Sequence, residues 1–186
     1  MFYFFLEQLD DDLKECFLFC GTYGDNVNFK WPRKTVMVYR LKINEELGDY
    51  KVIHNDSTNH AEIRFINEVR NSITKQHTKI DIEMFISYSP CDACAQALEG
   101  WITELRGEIP GRNVSIAIKF SNFYLEERAG LNALHKAKIT LGVFNQNVWG
   151  EFFQLIKKKP DGEFQKLIDQ RAARETIDAS KLKGII

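Results

Sequence analysis

Four residues have the types and spacing to do chemistry: His60 and Glu62 in His60-Ala61-Glu62, and Cys91 and Cys94 in Pro90-Cys91-Asp92-Ala93-Cys94. One imidazole and two thiolates fill three tetrahedral positions of Zn²⁺ and leave the fourth for water, whereas a purely structural site needs a fourth protein ligand. Glu62 therefore reads as a base beside the metal and not as a ligand to it. A zinc ion so held brings the pKa of water from about 16 toward about 7, which supplies a nucleophile at neutral pH. The plainer reading makes Cys91 and Cys94 two turn cysteines and His60 a surface histidine; the matched His-x-Glu counts against it.

These residues need elements that hold them. Ile63, Ile66, Val69 and Ile73 recur at mostly three- and four-residue steps between Ala61 and Thr74, which predicts a helix with His60 and Glu62 at its start. Pro90 ahead of Ala95, Leu98, Trp101, Ile102 and Leu105 predicts a second helix, opened by a proline where its missing N–H costs least. Two helix N-termini then face the metal, and their partial positive charge favours ionised thiols.

The rest of the chain must build a scaffold for those two starts. Alternation predicts strands over Thr35–Lys42, Tyr50–His54, Ile80–Tyr88, Val114–Phe120 and Leu141–Phe144, with Glu45–Gly48 as the turn between the first two. Helices are expected over Phe2–Cys20, Leu125–Lys138, Val148–Lys158 and Glu163–Lys183. A strand, helix and strand in close succession after Val114 imply a right-handed parallel crossover. Cys16 and Cys20 lie four apart on the apolar stripe of the first helix, and buried packing thiols are the commoner role for such a pair.

At 186 residues a single domain over 1–186 is expected, and 44% hydrophobic with 27% charged residues places it among globular proteins. Lys plus Arg total 25 against 26 for Asp plus Glu, so a net charge of −1 gives no global field for a polyanion. Nucleic-acid binding would have to come from a local patch, such as the Lys30, Trp31, Arg33 and Lys34 mixture of aromatic and basic residues. No apolar run reaches bilayer length, and the apolar Met1–Leu6 stretch lacks a basic start and runs into Glu7 and Asp10-Asp11-Asp12. With cysteines suited to a reducing compartment, a cytoplasmic or nuclear location is expected and no membrane partner.

Ser87-Tyr88-Ser89-Pro90-Cys91-Asp92-Ala93-Cys94, together with His60-x-Glu62, resembles the AID/APOBEC family of zinc-dependent polynucleotide cytidine deaminases. Lys30-Trp31, Arg33-Lys34-Thr35, Asn55 and Leu131–Ala137 add weaker matches, so the likeness runs over most of the chain. The resemblance implies a cytidine-deaminase-like α/β fold of three layers, a five-stranded mixed sheet with about six helices, its fourth and fifth strands parallel. It implies His60, Cys91 and Cys94 as zinc ligands and Glu62 as proton shuttle. It implies a pocket in which Thr35 lines the mouth and Asn55 meets the target sugar, with Tyr88 as aromatic wall in place of the usual tryptophan. The Ala61 N–H and Ser89 carbonyl would read the cytosine edge. The family's Ala-Arg-x-Tyr loop is here matched to Ile118-Lys119-Phe120-Ser121, which leaves the stacking tyrosine without a counterpart unless Phe120 or Phe123 supplies the face; Phe120 reads equally as a core residue at the end of its strand. The expected rim is thus Trp31, Arg33 and Thr35, with Asn55, and Lys119, Phe120, Phe123 and Tyr124.

The implied reaction is hydrolysis of cytosine to uracil in single-stranded DNA or RNA, DNA ahead of RNA, because a stacked base cannot enter such a pocket. Three other readings share the metal chemistry: a deaminase of free cytidine, an adenosine deaminase acting on transfer RNA, and a catalytically idle zinc-stabilised RNA-binding module. The parallel crossover with two terminal helices counts against the first, and the intact Glu62 against the last.

Overall fold

The computed structural model describes residue 12 and residues 15–17, 34–124 and 128–186. In chain order the elements are β1 (Val36–Ile43), β2 (Glu46–Leu47), β3 (Lys51–His54), α1 (Ala61–Arg70), β4 (Lys79–Tyr88), α2 (Asp92–Gly107), β5 (Asn113–Asn122), α3 (Ala129–Lys136), β6 (Thr140–Val143), α4 (Gln146–Leu155) and α5 (Gly162–Lys183). The sheet runs β2-β1-β4-β5-β6, and β3 pairs with β1 as well. Both β4 with β5 and β5 with β6 are parallel, as the crossover reading required.

The expected five strands are all present, and a sixth appears where a turn was expected. Asn44 and Glu45 both adopt positive φ, the backbone of a two-residue hairpin turn, so Glu46 and Leu47 fold back onto Lys42 and Ile43 as β2. Most of the helix expected over residues 2–20 lies outside the described residues. The helix expected over 125–138 is described as Ala129–Lys136.

Period-two alternation divides the sheet residues between two cores. Met37, Tyr39, Ile82, Met84 and Ile86 face α1, α2 and α3 through Phe65, Leu98, Trp101 and Leu134. Val36, Val38 and Phe85 face the other way, onto Phe144, Trp149, Phe152 and Ile168 of the β6 exit, α4 and α5. Cys16 and Phe17, wholly buried, belong to this second core, so the Cys16 thiol is a packing group; Cys20 lies outside the described residues. The result is helices, sheet, helices in three layers.

Direction in the sheet decides where function can sit. β3, antiparallel to β1, runs the same way as β4, β5 and β6, so Asn55, Ser89, Phe123 and Phe144 all leave from one edge. Thr35 enters β1 at that same edge.

Candidate metal centre

His60 and Cys91 hold equivalent places. Each is the N-cap of its helix, with φ −66° and ψ 158° for His60 and φ −68° and ψ 163° for Cys91. Neither side chain bonds back to its helix, so both point their donor atoms elsewhere. Pro90 lies one residue ahead of the cap and not at the first helical position, a two-residue difference from the sequence expectation. Cys94, one turn into α2, joins them: its Sγ lies 3.3 Å from His60 Nδ1, and Cys91 Sγ lies 3.5 Å from the same nitrogen.

These separations fit a common cation. Zn–N of about 2.05 Å and Zn–S of about 2.3 Å at a tetrahedral angle place nitrogen and sulfur about 3.6 Å apart. The three ligand atoms all lie within 4.8 Å of one another, and this is the cluster of metal-ligating type found among the described residues. The donor set of one imidazole and two thiols, with no fourth side chain contributed among the described residues, is that of an open site.

Glu62 is one residue inside the helix that His60 caps and is buried. Burial pushes its carboxyl above the usual carboxylate range, against the pull of its own backbone N–H, the His60 charge and Cys94. Burial, with Glu62 and Cys91 beside it, also pushes the Cys94 thiol far up. A divalent cation among these groups reverses both tendencies, because it favours the ionised form of every neighbour.

The rim is held by hydrogen bonds between strand exits. Thr35 N–H donates to Asn55 Oδ1 at 2.7 Å and Asn55 N–H donates to the Thr35 carbonyl at 3.1 Å, so these two expected pocket residues are brought together. Val36 N–H donates to Ser87 Oγ at 3.0 Å, fastening the start of β1 to the end of β4. Ser89 N–H donates to the Asn122 carbonyl at 2.7 Å, and Tyr124 N–H to Ser89 Oγ at 2.8 Å. Tyr88 and Tyr124 meet edge to face at 6.1 Å. Asp56, which the sequence reading passed over, takes Thr58 N–H and Asn59 N–H on one carboxylate oxygen and so stiffens the connection into His60. Its signal was there to read, since Asp followed by Ser-Thr-Asn is a local turn sequence.

Not every expected contact residue reaches this rim. β5 runs two residues past the expected strand end, to Asn122, so Lys119 and Phe120, although matched to the family's loop, lie within the strand. Lys119 faces the α4 side, where its ammonium binds Glu83 at 3.0 Å and also Glu151, over the Phe85 ring. Phe120 is wholly buried and meets Phe123 edge to face at 5.0 Å. Phe123 is half-buried against the first core and has Lys181 of α5 over its face at 4.5 Å. Tyr124, expected at the rim, is 39% exposed there, so a tyrosine is available after β5 although none aligns with the family's Ala-Arg-x-Tyr position. Ala61 is buried at the helix start and Ser89 is buried beside it in the turn before Cys91. Trp31 and Arg33 lie outside the described residues.

Comparison with known proteins agrees with this geometry. A family model described as APOBEC3H matches residues 29–160. A DNA dC->dU-editing enzyme, APOBEC-3H of Felis catus, is 26% identical over 147 residues that make up 73% of each chain. A C->U-editing enzyme, APOBEC-1 of Pongo pygmaeus, is 24% identical over 135 residues, 70% of this chain and 55% of that one. With a cytidine-deaminase-like fold, a His-Cys-Cys cluster at two helix starts and a family match over most of its length, the chain belongs to the APOBEC3H family.

Proposed function

We propose that the chain hydrolyses cytosine to uracil in single-stranded polynucleotide, DNA ahead of RNA, with release of ammonia. The observation that carries this reading is Glu62, buried two residues beyond His60 and beside Cys94. The relative named as a DNA-editing enzyme favours DNA.

His60, Cys91 and Cys94 would hold zinc, which when bound supplies Lewis-acid activation of water. Glu62 does the proton work: its carboxylate accepts a proton from the attacking water and delivers it to N3 of the base as the C4–O bond forms, then takes the remaining hydroxyl proton and passes it to the amine, so that the C4 carbonyl forms, the C4–N bond breaks and ammonia leaves. The Ala61 N–H is the first of α1 and has no partner within the helix, so it is a donor for the carbonyl side of the base, with the Ser89 carbonyl as acceptor for its amine side. Thr35, Asn55, Tyr88 and Tyr124 form the mouth, with Trp31 and Arg33 from the preceding segment. Base stacking on an aromatic such as Tyr124 contributes roughly 1–3 kcal/mol.

Purified protein should hold about one zinc per chain by elemental analysis, because binding is coupled to folding of the ligand set. Incubated with single-stranded DNA, single-stranded RNA, transfer RNA and free cytidine, it should convert cytosine to uracil in the first. Glu62→Ala should keep zinc and lose about 10²–10⁴ in kcat. An active preparation without zinc, turnover by Glu62→Ala, or conversion confined to free cytidine or to adenine in transfer RNA overturns the reading.

A further inference from the structure

Arg64 stands one turn into α1, and its guanidinium reaches back to the connection that joins β3 to that helix. Nη1 donates to the His54 carbonyl at 2.7 Å, and Nε faces Asp56 Oδ2 at 3.5 Å. His54 and Asp56 are the residues on either side of Asn55. The planar fork of an arginine is pre-organised to hold two such partners at once. Glu68, the partner that helical spacing would offer Arg64, is engaged instead by Lys51 at 2.8 Å and Tyr39 at 3.0 Å. Asn55 is also tied to the start of β1 by its paired bonds with Thr35. Beyond Asn55 the connection closes on itself, since Asp56 N–H donates to the Asn59 carbonyl at 3.0 Å while Asp56 Oδ1 accepts from the Thr58 and Asn59 N–H groups.

We propose that Arg64 is a positioning residue for substrate binding: by fixing the residues on both sides of Asn55, it sets that side chain at the pocket mouth before substrate arrives. The proposal rests on the deamination reading, in which Asn55 meets the sugar of the target nucleotide. Each step is a direct contact, from Arg64 to the two neighbours of Asn55 and from Asn55 to the substrate. The ion pair with Asp56 joins side chains 44% and 42% exposed and is screened by water, so the bond to the His54 carbonyl carries most of the effect. A side chain set in advance spares the substrate the work of ordering it, and losing that order weakens ground state and transition state alike. Such a loss appears in KM and leaves kcat in place.

The test uses the full chain with Arg64→Ala, Arg64→Met, Asn55→Ala and the double variant Asn55→Ala/Arg64→Ala. KM and kcat are measured on a single-stranded oligodeoxynucleotide with one cytosine, alongside zinc content. Arg64→Ala should raise KM about three- to tenfold, the worth of one hydrogen bond open to water, with kcat within about twofold and zinc unchanged. Arg64→Met keeps the stem and removes the donors; it should match Arg64→Ala, and it carries the test if Arg64→Ala fails to fold. In the Asn55→Ala chain, adding Arg64→Ala should raise KM by less than about twofold, because no side chain is left to position. Kd by fluorescence anisotropy reads the same cycle where Asn55→Ala turns over too slowly. The proposal is overturned if Arg64→Ala keeps the parental KM, if Arg64→Met stays parental while Arg64→Ala does not, if zinc and kcat fall together, or if the two effects multiply in the double variant. A parent that turns over no cytosine overturns the deamination reading, whereas parental turnover with KM unmoved by Arg64→Ala overturns only the role given to Arg64.

Discussion

Phe120 and Tyr124 stand four residues apart and have opposite environments, one wholly buried and one 39% exposed. Phe120→Ala should therefore cost about 3–5 kcal/mol in a denaturant titration, as other large-to-small core changes do. Tyr124→Ala should stay within about 1 kcal/mol of the parent and change instead the base preferred beside the target cytosine, read by sequencing edited products. An unchanged product profile would remove Tyr124 from the reading surface. The difference also measures what the sequence could reveal. His60, Glu62, Cys91 and Cys94 were legible because ligand spacing within a helix turn is local. Phe120 was legible only as one of two readings, core or contact, because nothing in Ile118–Phe123 marks where strand becomes loop, and the partners that settle Lys119, Glu83 and Glu151, are distant in sequence.

At the level of elements, α5 hides its buried face in a charged stripe. Phe164, Ile168, Arg171, Glu175, Asp178 and Leu182 are buried at alternating four- and three-residue steps, the period of a core-facing helix. The sequence reading found the helix but not that face, since half of the stripe is charged. Arg171 explains the pattern: its guanidinium donates to the Phe17 carbonyl, to Ser121 Oγ at 2.9 Å and to the Ser121 carbonyl at 2.7 Å, joining α5 to the end of β5 and to the amino-terminal segment. Glu175 accepts from Trp149 Nε1 at 3.1 Å. Arg171→Met keeps the bulk and removes the donors, and should lower stability by about 3 kcal/mol or more in thermal or denaturant unfolding. A change below about 0.5 kcal/mol would mean that packing of the stem, and not these hydrogen bonds, carries the contact.

Across the whole molecule, charges are largely spent on one another. Among the described residues, Lys34 and His54 share Asp12, Arg40 and Lys119 share Glu83, and Arg64 faces Asp56, so these cations near the open edge are engaged and not left for phosphates. Single-strand binding should then weaken with a shallow log–log salt slope of about −2, the signature of two to three phosphate contacts, measurable by fluorescence anisotropy. A slope several times steeper would reveal a cationic surface beyond these residues. Two buried carboxyls work in opposite directions with pH. Burial raises the Asp12 carboxyl, but hydrogen bonds from His54 and Lys34 outweigh it and hold it below its ordinary value. Its contribution is complete above the ordinary carboxylate pKa and is lost as pH falls through the lowered one. Asp178 is raised by burial despite Arg174 and Arg171, so its contribution is complete below the ordinary value and is lost as pH rises through the raised one. Asp178→Asn should accordingly raise the urea midpoint at pH 8 and leave it nearly unchanged at pH 4; a larger gain at pH 4 would contradict the assignment.

The parallel run of β4, β5 and β6 has a consequence for how such a chain can be altered. The ligand-bearing turn is the exit of one strand and the aromatic connection is the exit of its neighbour, so the two are adjacent in space yet separate in sequence, with the core of neither depending on the other's identity. Ser89 N–H to the Asn122 carbonyl and Tyr124 N–H to Ser89 Oγ join the two exits, so residues far apart in the chain fix one another's place. Under the deamination reading proposed above, residues that meet neighbouring bases can then change without a change at His60, Glu62, Cys91 or Cys94.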